Sequence, residues 1–206
     1  MKPFRVFAVV ALALIVVGVG TANAQSNFNW VTKTSAGAQV TVLPADLQKV
    51  NYFSNANTAG APDATVEITD PGSPIGNVCA QIYVFDVYQE LSECCACLVT
   101  PNGLRTLSVN TDLTSNPVTG VTLTRGEVSI VSGIVPKGGV CSPLNPIAVP
   151  TIRAWGTHIQ NSNFAETETE YSDRQLGLFN DNLLIDCYAV AIVGSGHGVC
   201  SCGSGD

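Results

Sequence analysis

"ECCACLVTPNGLRTLS", residues 93–108, puts three cysteines into four positions and follows them with Pro101-Asn102-Gly103. In an extended chain neighbouring side chains point to opposite faces, and positions two apart share one. Cys95 and Cys97 therefore project together and Cys94 projects away, so a single strand can be tied to structure on both of its sides. Asn102 and Gly103 tolerate positive φ, which predicts a β-hairpin joining the segments on either side of the turn. Working outward, the stretch implies a fold of short strands stapled through sulfur.

The cysteine count supports oxidation. Cys79, Cys94, Cys95, Cys97, Cys141, Cys187, Cys200 and Cys202 form an even set, which reads as a disulfide framework in an exported chain. Eight cysteines allow on the order of a hundred connectivities. If the tail passes antiparallel beside residues 94–98, the matched spacing of "CAC" and "CSC" would give Cys95 to Cys202 and Cys97 to Cys200. A metal site would favour paired CxxC knuckles, and the spacings here are C-C-x-C and C-x-C; only His158 and His197 supply imidazole. A redox enzyme would place CxxC at a helix start. No cofactor or metal centre is expected from these sulfurs.

Export is read from the opening residues. Lys2 and Arg5 precede an apolar run from Val6 to about Val19, and Ala22-Asn23-Ala24 forms a small-x-small cleavage site. That predicts a signal peptide over residues 1–24 and a secreted or cell-surface product with no membrane insertion after cleavage. Two of the nine Lys and Arg lie in this leader, while all sixteen acids lie beyond it. Such an acidic exterior repels phosphate backbones, which argues against nucleic acid as a partner. Only 12% of residues are charged, about half the usual share, which suits turn-rich β structure with a neutral polar surface.

Along the chain, residues 25–63 read as an N-terminal extension: β-branched alternation in "QVTVL", then a polar linker, "NYFSNANTAGAPDA", over residues 51–64. Residues 64–206 read as the core. Strong strands are expected from Cys79 to Tyr88, in "GVTLTRGEVSIVSGIV" and in "PTIRAWGTHIQ", with "PKGGVCSPLNPIAVP" a loop pinned at Cys141. Ser172-Asp173-Arg174-Gln175 matches a capping box, and Leu176, Phe179, Leu183, Cys187 and Val190 repeat at helical steps. A helix over residues 173–190 is predicted, with Cys187 bridged inward. The fold class is a mainly β, disulfide-stapled β-sandwich with one C-terminal α-helix packed on it.

The segments "CAQIYVFDVYQELSECCACLVTPNGLRTLSVNTDLTSNPVTG", "RAWGTHI" and "GSGHGVCSC" resemble a group of secreted, cysteine-rich bacterial proteins. The likeness spans about residues 64–206, and Cys-Cys-x-Cys followed by Thr-Pro-Asn-Gly is its most specific element. It implies an exported core in which these cysteines belong together, with residues 25–63 a separate extension. It implies no activity, cofactor or catalytic residue.

Catalytic motifs are sparse. No G-x-S-x-G pentapeptide occurs. Ser195, His197 and Asp206 imitate a triad on paper, but Ser195 and His197 sit two residues apart in a glycine-rich tail with nothing to orient the imidazole. Glu90 and Glu93 flank the cysteine cluster and read as solvated turn residues. Glu166, Glu168 and Glu170 would share one face of a strand, about 6 to 7 Å apart; they read as a solvated edge, with Ca²⁺ as the sharper alternative. Trp30 and Trp155 are candidate stacking platforms for a ligand, with core packing the plainer role for Trp155.

The expected function is that of a non-enzymatic extracellular structural protein, a self-associating surface or fibre subunit whose residues 25–48 either add a strand to a neighbour or fold onto their own sheet. A secreted carbohydrate- or ligand-binding module is the second reading. A hydrolase built on the carboxylates ranks behind both.

Overall fold

The computed structural model describes residues 47–135, 137–144, 147–174, 176, 180–193 and 198–203, together with the backbone of residues 32–35 and 38–41. The expected leader, Trp30, Ser195, His197 and Asp206 lie outside the described residues. Strands β1 (Thr32–Ser35) and β2 (Ala38–Thr41) pair with each other and, among the described residues, with no other strand. A four-stranded antiparallel sheet has the order β10 (Ala165–Glu170), β9 (Arg153–Gln160), β4 (Thr65–Thr69), β7 (Leu104–Ser108). A five-stranded antiparallel sheet has the order β11 (Ser172–Arg174), β3 (Gln48–Ser54), β8 (Arg125–Ile134), β5 (Val78–Phe85), β6 (Leu91–Val99). Helix α1 (Asn180–Val193) follows the strands. The protein is mainly β with one short C-terminal helix and four disulfides, as the sequence implied.

One buried cluster draws Phe53, Ile82, Val84 and Ile130 from the five-stranded sheet and Val66, Ile68, Leu107 and Ile159 from the four-stranded one. A second cluster joins Tyr83, Cys94 and Val131 to Leu176 and Cys187. Ile82 and Tyr83 are adjacent and so point to opposite faces. Strand β5 is thereby buried on both sides, which is why its run "VCAQIYVF" is almost continuously apolar. Helix α1 covers part of the second face through Leu183, Cys187 and Val190. Its opposite side leaves Ile185, Tyr188 and Ile192 more than half exposed.

Four expectations need correction. The Pro-Asn-Gly turn forms, with Gly103 N donating to Thr100 O at 2.7 Å and Asn102 at φ 59°. Its arms do not pair: β6 bonds to β5 in one sheet and β7 to β4 in the other. The turn is an arch between sheets, held because Asn102 N donates to Asp70 O and Asp70 N to Gly103 O. Residues 51–64 are no linker either, since Tyr52 and Phe53 belong to β3 and Ala56 and Ala64 are buried. Asn57 pins this loop by donating from Nδ2 to Thr114 Oγ1 at 2.8 Å and Leu123 O at 2.9 Å.

The capping box fails because Ser172–Arg174 completes a ladder on β3. The buried Lys49 ammonium pairs there with Asp173, and a backbone already bonded in a sheet cannot start a helix. Helix α1 begins only at Asn180. Finally, the tail runs parallel to β6. The disulfides are Cys79–Cys141, Cys94–Cys187, Cys95–Cys200 and Cys97–Cys202, so the expected partners of Cys95 and Cys97 are exchanged.

The tail is seated by Val199 N donating to Cys94 O at 3.0 Å and Ser201 N donating to Asp112 O at 2.9 Å. Gly198 makes this close approach feasible. Its φ is +81°, and a Cβ there would stand 1.7 Å from the Cys94 carbonyl oxygen. Gly198→Ala is expected to cost at least about 2 kcal/mol, and so lower Tm by roughly 4–8 °C in thermal denaturation. An unchanged Tm would contradict the seating of the tail on β6.

Candidate functional site

At one end of the five-stranded sheet lies a cleft of about 780 Å³, lined by β3, β8, β11 and the turn leaving β5. Its floor follows from register. Tyr52 stands opposite Glu127, and Glu127 opposite Phe85, so the three side chains form one cross-strand row. Gly126 lets β8 press in beside them, because a Cβ there would lie 2.1 Å from the Phe85 carbonyl oxygen and 2.9 Å from the Phe53 ring. The β5–β6 register slips between Val84 and Phe85, bending the chain at the rim. Asp86 closes the following turn, accepting through Oδ1 from Tyr88 N at 2.8 Å and Glu90 N at 2.9 Å.

Tyr52 is the most exposed aromatic in this row, at 53%. Its ring stacks on His158 with centroids 4.2 Å apart and an interplanar angle of 30°. Gln160 Nε2 donates to its hydroxyl at 3.3 Å. His158 is buried, with Nε2 2.6 Å from Thr169 Oγ1. Burial holds its pKa below the ordinary value, while the Tyr52 main chain acts in the opposite direction. A mostly neutral imidazole thus props a half-exposed phenol, fixing the ring without drawing it into the core. Arg125 and Arg174 enter the same cleft from β8 and β11. Among the described residues neither guanidinium has a hydrogen bond or ion pair. The arrangement can stack one ring of a ligand and present charged donors and acceptors around it.

The residues singled out from sequence fall elsewhere. All eight cysteines are in disulfides. Trp155 is half-buried on β9, facing Glu67 and Glu170 in register, and belongs to neither apolar cluster. Glu166, Glu168 and Glu170 are exposed along β10, the edge of their sheet. Among the described residues no group of three or more His, Cys, Asp or Glu side chains is placed to hold a metal ion. No described helix is long and apolar enough to cross a membrane. Tyr52 was passed over because it falls in a stretch rich in Asn, Ala and Gly, and its partners lie far away in the chain.

Glu93 also departs from expectation. Glu90 is exposed, but Glu93 is fully buried and neither carboxyl oxygen has a hydrogen-bond partner among the described residues. Parity carried the signal, since residues 93, 95 and 97 share a face of β6 and Cys95 and Cys97 point into the shared cluster. Desolvation raises the Glu93 pKa to about 8. The folded state then keeps a proton that the unfolded chain releases near its ordinary value of about 4.3. The stability this carboxyl contributes is complete below that pH and falls as pH rises toward 8. Tm of the wild type is expected to decline across pH 4.5 to 8, and Glu93→Gln to flatten the decline. Equal slopes for the two proteins would refute the assignment.

No protein-family model matches the chain, and no curated protein or solved structure matches it either.

Proposed function

We propose that the protein is an exported, disulfide-stapled β-sandwich that binds carbohydrate, with the Tyr52 cleft as its binding site. The half-exposed Tyr52 ring, held from behind by His158 and Gln160, carries this reading. A pyranose offers a C–H-rich face to such a ring and equatorial hydroxyls to its edges. Glu127, Arg125 and Arg174 supply the hydrogen-bonding groups around it. A prepositioned ring loses little freedom on binding, so its contacts are retained as affinity. The sandwich reading rests on the buried cluster shared by the two sheets. Four disulfides and the resemblance to secreted cysteine-rich proteins support an oxidising, extracellular setting.

On a glycan array the native protein should give a reproducible signal, and Tyr52→Ala should weaken it at least tenfold while leaving Tm within about 2 °C. No signal from correctly oxidised protein, or an undiminished signal from the variant, would refute the reading.

A second reading, self-association into a surface or fibre assembly, is favoured by a different observation. Among the described residues strands β1 and β2 pair only with each other, and an isolated two-stranded hairpin is marginally stable in water. Docking on a neighbour would supply the missing burial, in the strand-addition mode. Removing residues 25–45 should then convert assemblies into monomers by light scattering. Monomers before and after removal would end this reading.

A further inference from the structure

The cleft holds two arginines that form no ion pair among the described residues. Lys and Arg number nine against sixteen Asp and Glu, and Lys137 is a further exposed cation with no ion pair among the described residues. Elsewhere Lys49 pairs with Asp173, Arg153 Nη1 lies 3.8 Å from Asp173 Oδ2, and Arg105 Nε donates to Leu98 O at 2.9 Å. Arg125 and Arg174 are exposed and have no such partner among the described residues. They come from β8 and β11, the two strands flanking β3, and line the Tyr52 cleft from opposite ends of β3, Arg125 standing opposite Ser54 and Arg174 opposite Gln48. Glu127 and Asp86 line it too, yet neither forms an ion pair with them. Asp86 instead spends one oxygen on its own turn.

Each guanidinium is a full positive charge exposed at the cleft. Each presents a planar fork of donors that matches the two oxygens of a carboxylate. Two Arg against Asp86 and Glu127 leave the cleft close to neutral, which suits singly charged groups better than a doubly charged phosphate. Building on the carbohydrate reading above, we infer that the ligand is an acidic glycan: an oligo-uronate with one pyranose ring stacked on Tyr52 and carboxylates of its successive residues bound by Arg125 and Arg174.

The test uses the oxidised full chain in isothermal titration at low ionic strength, with four tetrasaccharide probes: tetragalacturonate, tetramannuronate, methyl-esterified tetragalacturonate and neutral cellotetraose. At least one uronate should bind ten or more times tighter than the ester and cellotetraose, and raising salt should erode that advantage. Arg125→Gln and Arg174→Gln should each weaken uronate binding at least fivefold and ester binding by less, so that the preference for acid over ester narrows. Tyr52→Ala should weaken all binding. Near-UV circular dichroism confirms that each surface variant is folded. Equal binding of acid and ester would overturn the carboxylate assignment and leave the carbohydrate reading standing. Binding of none of the four would overturn both. A sulfated tetrasaccharide that competes better than the uronates would also overturn the carboxylate assignment.

Discussion

The structure depends on how β6 distributes its sulfur. Adjacent cysteines on an extended strand must point to opposite faces, so Cys94 reaches Cys187 of helix α1 on one side. Cys95 and Cys97 reach Cys200 and Cys202 on the other. β6 is the edge of its sheet, and an edge offers unpaired backbone groups to other chains. Here the chain after the helix returns along that edge and bonds Val199 N to Cys94 O. One strand thus anchors the helix, fixes the tail and has part of its edge covered by it. The bridges span 93 to 105 residues of sequence, and each restricts the unfolded chain by an amount worth roughly 2–4 kcal/mol. Because the loops nest, the contributions do not simply add.

The same anchoring bears on the cleft. β6 is held on both faces, so the slip between Val84 and Phe85 cannot relax by sliding the strand. The irregularity is confined to the turn at Asp86, where the chain bends and the rim forms. On the far side of β3 the ion pair of Lys49 with Asp173 holds β11, which carries Arg174. A rigid sheet end and a short pinned strand together place side chains that lie far apart in sequence. Glu93 shows the opposite tension, a carboxyl kept in the interior without a partner and held there as the neutral acid.

Much of the local structure was legible in the residues. β5, β8 and β9 announced themselves through apolar runs and period-two alternation, which reflect burial directly. The opposite facing of Cys94 and Cys95 followed from the pleat alone. Pairing was less legible. Pro101-Asn102-Gly103 specifies a tight turn but not which sheet each arm joins, and Asp70 settles that from outside. Ser172-Asp173-Arg174 had a helix signal that lost to Lys49 and the open edge of β3, neither of which is local. The tail's direction depended on where α1 leaves it. The cleft was illegible because Tyr52, Arg125 and Arg174 carry no motif, and only the fold brings them together.

The account stands most directly on sulfur connectivity. Partial reduction and alkylation of the unreduced protein, followed by tandem mass spectrometry of peptides cut on either side of residues 94–97, reads the pairs one by one. The account requires Cys94 with Cys187, Cys95 with Cys200, Cys97 with Cys202 and Cys79 with Cys141. Finding Cys95 with Cys202 and Cys97 with Cys200, or any stoichiometric free thiol among the eight, would contradict it.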